Sequence, residues 1–167
     1  MVDALARTST AASPLFLREA EIRRGIELLY FGYANMVRGA DDLLAAKGFG
    51  RAHHRALYFI ARAPGMPVSD LLQLLNITKQ SLSRVLAELQ AKGLVAATVG
   101  PRDRRQRLLE LTPAGAALEA ALFEELRGGM AAAYAAAGQG AVTGFWGVLE
   151  GLIPVPTRAL VEALATR

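Results

Sequence analysis

The chain has 167 residues, a length that suits one domain with or without an appendage, and 53% of them are apolar while 20% are charged. The absence of cysteine excludes disulfides, thiolate metal sites and thiol redox chemistry. The high apolar share predicts that part of the surface is hidden by self-association.

The formal charge of +4 is placed unevenly along the chain. Residues 51–107 contain 10 Lys or Arg and 3 acidic residues, a local charge of +7, whereas the remaining residues contain 9 basic and 12 acidic side chains, a net −3. This central basic segment indicates a nucleic-acid-binding module, although a solvated basic face would give the same count.

The first part of the chain predicts an arm and two helices. Residues 1–14 are rich in Ala, Ser and Thr without a continuous apolar run, so we expect a flexible arm and no secretory signal. Apolar residues recur at three- and four-residue spacing over 16–44, which predicts one long amphipathic helix ending at the glycines of 47–50. A second helix is predicted over about 51–62, before a turn rich in Pro and Gly.

A pair of short helices is predicted next, over 69–75 and 78–92, with Ser69 and Thr78 as N-caps. The second of these helices has an apolar stripe that should face inward: Leu82, Val85, Leu86 and Leu89. Its outward face should then be polar, with little bulk: Lys79, Gln80, Ser81, Ser83, Arg84 and Ala87. An ordinary amphipathic surface helix would show the same pattern.

A two-stranded β-ribbon follows, with strands at about 94–99 and 106–111 and a basic tip between them. The tip carries Arg102, Arg104 and Arg105, and its guanidinium groups could enter a DNA minor groove, where negative potential is concentrated. Asp103 is expected to pair with a neighbouring arginine and hold the tip in shape. A mobile charged loop is the alternative interpretation.

The last part of the chain predicts further helices. Residues 112–113 supply an N-cap and a first-turn proline for a helix to about 137, with a kink at its two adjacent glycines. The uncharged stretch 128–149 raises the question of a membrane span, but its Gly-rich interruption favours a buried helical hairpin. A helix over 141–153 carries a stripe of small residues that would let another helix approach closely: Gly140, Gly144, Gly147 and Gly151.

The helix pair has the size and chemistry needed to read a DNA major groove, which is about 12 Å wide and accepts one helix. Arg84 is the predicted donor to guanine, Gln80 could bond adenine, and Ser81 could bond either base. Contacts to phosphates are predicted for three residues near the start of the helix: Thr78, Lys79 and Ser83.

Three segments resemble the winged-helix regulators of the MarR family: LSRVLAELQAKGLV at 82–95, DRR at 103–105 and LTPAG at 111–115. The Asp-x-Arg wing followed at this spacing by Leu-Thr-x-x-Gly is a specific signal, whereas the helix pair alone is not. The segment TKQSLSR at 78–84 also resembles a proteobacterial subgroup of the family named after PetP.

The resemblance implies a mainly α fold with a small β-ribbon. It divides the chain into a winged helix-turn-helix DNA-binding lobe at 51–111 and a helical dimerisation region at 15–50 and 112–167. It also implies that Arg105 enters the minor groove and that Asp103 braces the wing.

The resemblance further implies a small-molecule effector, because members of the family often bind aromatic or anionic molecules between the dimer helices and the DNA-binding lobe. Aromatic and His side chains near a domain junction suit such a pocket, with core packing as the alternative for each. The candidates are Tyr30, Tyr33, His53, His54, Tyr58, Phe59, Met66 and Trp146. No metal is assigned to the two adjacent histidines, which point about 100° apart on a helix, and no cofactor is predicted.

We therefore predict a cytoplasmic homodimer that binds double-stranded DNA at a pseudo-palindromic operator and represses transcription, with no membrane association. No enzymatic activity is predicted, because catalytic signatures are missing from the sequence. The alternative is a winged-helix module used only for protein contacts.

Overall fold

The computed structural model describes residues 14–101 and 103–165. Most of the predicted arm, Arg102 of the wing tip and residues 166–167 lie outside the described residues. The chain divides into two compact units at residues 35 and 36. The described elements are a 3-10 turn (Pro14–Leu17), α1 (Glu19–Met36), α2 (Arg38–Ala45), α3 (Arg51–Arg62), β1 (Met66–Pro67), α4 (Val68–Leu75), α5 (Lys79–Ala91), β2 (Val95–Val99), β3 (Arg107–Leu111), α6 (Pro113–Ala137), α7 (Gln139–Leu152) and α8 (Val155–Ala165).

The predicted long helix over 16–44 is interrupted, so that prediction was wrong in its extent. α1 ends at Met36 and α2 begins at Arg38, with Val37 between them at φ −86° and ψ −6°. This backbone conformation is still right-handed helical, at the edge of that region, and the Val37 side chain is buried. The apolar spacing continues across the break because both helices keep an apolar face.

α1 makes up most of the described part of the first unit, and its apolar side chains are exposed there. The predicted stripe is present, with these residues between 44% and 62% exposed: Ile22, Ile26, Leu29 and Tyr33. An ion pair joins Glu19 and Arg23 one turn apart at 2.7 Å. Such a pair adds little stability, so a helix with this much exposed apolar surface needs a packing partner.

The core of the second unit forms around α3, which packs against α4, α5, α6 and β3. Its largest fully buried side chains come from these elements and from α2: Leu44, Leu57, Ile60, Leu71, Leu82, Leu89, Leu109 and Leu122. The sheet is antiparallel with strand order β1-β3-β2. β2 and β3 pair from Val95 opposite Leu111 to Val99 opposite Arg107, which confirms the predicted ribbon.

The N-cap predicted for α4 was wrong. α4 begins at Val68 with Pro67 as the preceding residue, and the Ser69 hydroxyl donates to Asp70 instead of capping the helix. Pro67 already pairs with β3 at the end of β1. The chain therefore turns directly from strand to helix, and the residue before the helix is two positions earlier than the predicted cap, Ser69.

α6, α7 and α8 complete the second unit. α6 runs as one helix through its two adjacent glycines, and α7 packs against it after a turn at Gly138, where φ is +78°. The predicted hairpin is present, but within the single chain it is not buried, since α7 exposes Phe145, Trp146, Val148 and Leu152. Among the helices that the structure describes, none is long and apolar enough to cross a membrane.

Candidate nucleic-acid interface

The start of α5 is held by a reciprocal pair of hydrogen bonds. α4 ends at Asn76 in the left-handed conformation (φ +48°), and the chain then extends to Thr78, the N-cap of α5. The Thr78 hydroxyl accepts from the backbone N–H of Ser81 at 3.1 Å and donates to the Ser81 hydroxyl at 2.9 Å. The predicted cap is confirmed, and it leaves the positive end of the helix dipole at the surface.

The division of α5 into two faces is confirmed residue by residue. The four apolar side chains predicted to point inward are between 0% and 7% exposed, and the six polar or small residues predicted to point outward are all exposed. The outward residues line a shallow concave surface of about 650 Å³: Lys79, Gln80, Ser83, Arg84 and Ala87. A second groove of about 970 Å³ shares Lys79, Ser83 and Ala87 and extends over the sheet to Arg107.

Arg84 takes part in a chain of polar contacts that leads into the core. Its Nε lies 3.2 Å from Glu88 Oε1, one turn further along α5, while 81% of the arginine side chain is exposed. The other carboxylate oxygen, Oε2, lies 2.7 Å from Nε2 of the buried His53 on α3. Sequence reasoning gave Glu88 no role, although its spacing of four residues from Arg84 signals an ion pair.

The wing, comprising β2, β3 and the turn between them, is braced at its tip by Asp103. The Asp103 carboxylate accepts from the backbone N–H of Arg105 at 2.9 Å, and the Gln106 N–H donates to the Asp103 carbonyl at 3.0 Å. The expected partner was a neighbouring guanidinium, and the observed donor is a neighbouring backbone group. Arg104 and Arg105 are exposed at this turn, so their side chains are available to a partner.

The Leu-Thr-x-x-Gly motif joins the end of α5 to the start of α6. The Thr112 hydroxyl caps α6 by accepting from the N–H of Gly115 at 3.1 Å and also donates to the Gly93 carbonyl at 2.6 Å. Gly93 has φ +66° and ends the turn after α5, and the Thr112 N–H donates to the Leu94 carbonyl at 3.0 Å. The motif therefore fixes how the wing leaves α5.

The residues predicted to line a ligand pocket are distributed over both units, and that pocket remains a prediction. Tyr30 and Tyr33 lie exposed on α1 in the first unit. The second unit contains the others: His53, His54, Tyr58 and Phe59 on α3, Met66 on β1 and Trp146 on α7. Met66 is buried in the core, whereas the indole of Trp146 donates to the Tyr134 hydroxyl at 2.8 Å.

The two adjacent histidines of α3 have different surroundings. His53 stacks on Phe49 with 4.8 Å between ring centroids. Burial lowers the pKa of His54, and the nearby Asp41 carboxylate partly offsets this effect by attracting the protonated ring. Asp41 itself is bound by Arg51 at 2.7 Å. The surroundings of His54 therefore favour its neutral form.

Two helices, α4 and α5, pack on the core, and the second has an exposed polar face. A basic β-ribbon in a three-stranded sheet follows them. This arrangement defines a winged helix-turn-helix protein. The family model described as the MarR family matches residues 47–106. The HTH-type transcriptional regulator PetP of Rhodobacter capsulatus is 49% identical over 150 residues, which cover 90% of each chain. This chain therefore belongs to the MarR family of transcriptional regulators, as its motifs predicted.

Solved structures show the same fold. A MarR-family transcriptional regulator from Silicibacter pomeroyi is 26% identical, with a TM-score of 0.65 over 77% of this chain and 88% of that one. A mutant MarR from E. coli, complexed with operator DNA, has a TM-score of 0.63 over 85% of this chain and 100% of its own, at 23% identity. The predicted fold class, mainly helical with a small β-ribbon, is confirmed.

Proposed function

We propose that this chain is a sequence-specific regulator that binds double-stranded DNA with α5 in a major groove and the wing over the adjacent minor groove. The observation that carries the proposal is the outward face of α5, where hydrogen-bond donors are exposed above a fully buried apolar stripe. One helix with such a face fits a groove about 12 Å wide. The exposed Arg104 and Arg105 at the wing tip add positive charge on the same lobe.

The contacts of the free protein support separate roles for the residues of α5. Arg84 and Gln80 have exposed side chains suited to bidentate bonds with guanine and adenine. The Ser81 hydroxyl accepts from Thr78, so its own proton is left for a base. Since the Thr78 proton is already bonded to Ser81, Lys79 and Ser83 are the better donors to phosphate, and Thr78 acts mainly as the cap.

We propose a homodimer as the binding species, with the dimerisation region at 15–50 and 112–167. Apolar residues of α1 and α7 are exposed in the single chain, and burying such faces is the usual driving force for association. On α7, an added Cβ at Gly140, Gly144, Gly147 or Gly151 would meet no atom of the described residues within 4 Å. This open side of α7 borders the side that exposes Phe145 and Val148, so a helix of the second subunit could pack across both.

Repression is the proposed outcome of binding, because a dimer that occupies successive major grooves about 34 Å apart blocks that stretch of duplex. The proposed compartment is the cytoplasm, where the DNA partner would be reached, and the proposed role is regulation without catalysis. A small-molecule effector in the predicted pocket would release the operator.

Selection of bound duplexes from a random pool tests this function most directly. We expect enrichment of a two-fold consensus with half-sites one helical turn apart, because a symmetric dimer reads the same bases twice. Affinity for the selected duplex should fall steeply with salt through release of condensed counterions. A pool without enrichment, together with salt-independent binding, would instead support a module for protein contacts.

A further inference from the structure

The guanidinium of Arg84 is connected to the protein core by three consecutive polar contacts. The Gly50 N–H lies 3.1 Å from His53 Nδ1, His53 Nε2 lies 2.7 Å from Glu88 Oε2, and Glu88 Oε1 lies 3.2 Å from Arg84 Nε. The first two contacts are partly buried, whereas Arg84 itself is exposed. An exposed side chain is thereby attached to a ring that packs against Phe49 in the interior.

The direction of the hydrogen bond between His53 and Glu88 follows from the one between Gly50 and His53. A backbone N–H can only donate, so Nδ1 of His53 must be its unprotonated acceptor, and the ring proton then lies on Nε2. His53 therefore donates to Glu88 Oε2. Arg84 Nε lies 3.2 Å from the other carboxylate oxygen, Oε1, in an ion pair, so the negative charge of Glu88 attracts the guanidinium while Oε2 accepts from His53.

We propose that Glu88 and His53 are positioning residues that fix Arg84 for base reading, an inference that rests on the proposed DNA-binding function. The ion pair forms through Nε, and the side chain that carries the two terminal amino groups is 81% exposed. These two groups match the O6 and N7 acceptors of guanine in the major groove. An arginine that this ion pair restrains before binding loses less conformational entropy when the base contact forms.

The charge of Glu88 gives this arrangement a distinctive consequence. A carboxylate on the helix that enters the groove repels phosphates and therefore weakens binding to any sequence. The same carboxylate strengthens binding to the correct sequence by holding Arg84. Glu88 thus increases the ratio of specific to non-specific affinity, whereas a residue with a purely structural role would change both affinities in the same direction.

Glu88→Gln is the decisive variant, because the amide removes the negative charge that attracts Arg84 while its oxygen can still accept from His53. The side chain of Glu88 is 40% exposed, so the fold should tolerate the change. We expect operator affinity to fall about threefold to tenfold, the factor for a long side chain that must be ordered on binding. Affinity for a scrambled duplex should stay the same or rise, and the preference at one base pair should relax.

The matched control is Glu110→Gln, which removes the same charge from an exposed position on β3 of the same lobe. It should leave the base preference of the parent unchanged. The double variant Arg84→Ala with Glu88→Gln should have the same base preference as Arg84→Ala alone, since Glu88 acts through Arg84. In the free protein, NMR relaxation should show that the Arg84 Nε–H group is more mobile in Glu88→Gln than in the parent or in Glu110→Gln.

The outcomes separate this inference from the proposed function. If Arg84→Ala keeps the operator preference of the parent, base reading by Arg84 is wrong and the positioning role falls with it. If Arg84→Ala loses that preference but Glu88→Gln keeps it, DNA reading stands and the positioning role is overturned. Equal losses for operator and scrambled duplex in Glu88→Gln, with a lower Tm, would also overturn it and leave a structural role.

Discussion

Two exposed arginines of the DNA-binding lobe are supported in different ways, and this difference predicts different tasks. Arg84 lies on a helix, and a side chain, Glu88, holds its Nε. Arg105 lies on a turn whose backbone is fixed by the Asp103 carboxylate. The first arrangement restrains a guanidinium, as base reading requires, whereas the second only brings one to the right place, as a minor-groove contact requires.

Alanine substitutions should separate these tasks. Arg84→Ala should cost about 1 to 3 kcal/mol of binding free energy and relax the preference at one base pair, because a bidentate base contact is lost. Arg105→Ala should weaken binding to all sequences by a similar factor, since groove potential is shared by many sequences. Titrations against the selected operator and its single-base variants measure both effects.

Arg18→Ala is a suitable control, because it removes an exposed positive charge from the segment before α1, outside the DNA-binding lobe. It should bind the operator and its variants as the parent does. If both lobe variants bind every duplex like this control, neither arginine contacts DNA and the protein-contact alternative gains support.

The roles of single residues could be predicted from the sequence where they depend on local spacing. The inward and outward faces of α5 follow from a periodicity of 3.6 residues, and the structure agrees at each position. The contact between His53 and Glu88 joins residues 35 positions apart. No local pattern specifies such a pair, because it depends on how α3 packs against α5.

At the scale of elements, the Leu-Thr-x-x-Gly motif acts as a joint between α5, the wing and α6. Thr112 bonds to the turn that follows α5, and Gly115 allows the first turn of α6 to approach that turn closely. A Cβ on Gly115 would overlap the Leu94 carbonyl oxygen and lie 2.9 Å from its carbon. Because these are backbone atoms, no side-chain rotation can relieve the overlap.

Gly115→Ala should therefore destabilise the protein by about 1 to 3 kcal/mol, the usual cost of overpacking. Gly128→Ala is the matched control, because it lies in the same helix and its added Cβ would face open space among the described residues. The control should gain up to about 1 kcal/mol from helix propensity. Urea denaturation midpoints measure both changes, and equal midpoints would show that α6 can shift away from the turn.

Element boundaries were predictable where a residue has a strong local preference and less so elsewhere. Thr78 and Thr112 are N-caps in the structure as predicted, because their hydroxyls bond to backbone groups within three residues. The break at Val37 is followed two residues later by Gly39, but a single glycine does not by itself end a helix. A pattern that reads only apolar spacing therefore extends the helix too far.

At the scale of the whole molecule, the main feature left unpaired is apolar surface on the helices outside the DNA-binding lobe. Val148 of α7 is 66% exposed in the single chain, and Phe145 and Leu152 lie on the same side of that helix. Composition predicted this excess, but not which residues carry it. The proposed dimer would bury this side of α7 and would place two α5 helices on one face of the duplex.

Val148→Glu should shift the protein from dimer to monomer, because a carboxylate buried in an apolar interface without a partner is costly. The monomer should fold, since this side chain is already exposed to water in the single chain. Operator affinity should fall by about a hundredfold or more, because a monomer binds one half-site and loses the effective concentration of the second. Sedimentation velocity and operator titration measure the two effects together.

Gln139→Glu places the same charge at an exposed position on the side of α7 that carries Glu150, away from both the glycines and Val148, and should leave the protein dimeric. Both variants reduce the net charge by one, so long-range repulsion of DNA cannot account for a difference between them. A Val148→Glu protein that remains dimeric and binds the operator like Gln139→Glu would exclude the Val148 side of α7 from the interface. The exposed stripe of α1 would then be the next apolar surface on which to place the dimer contact.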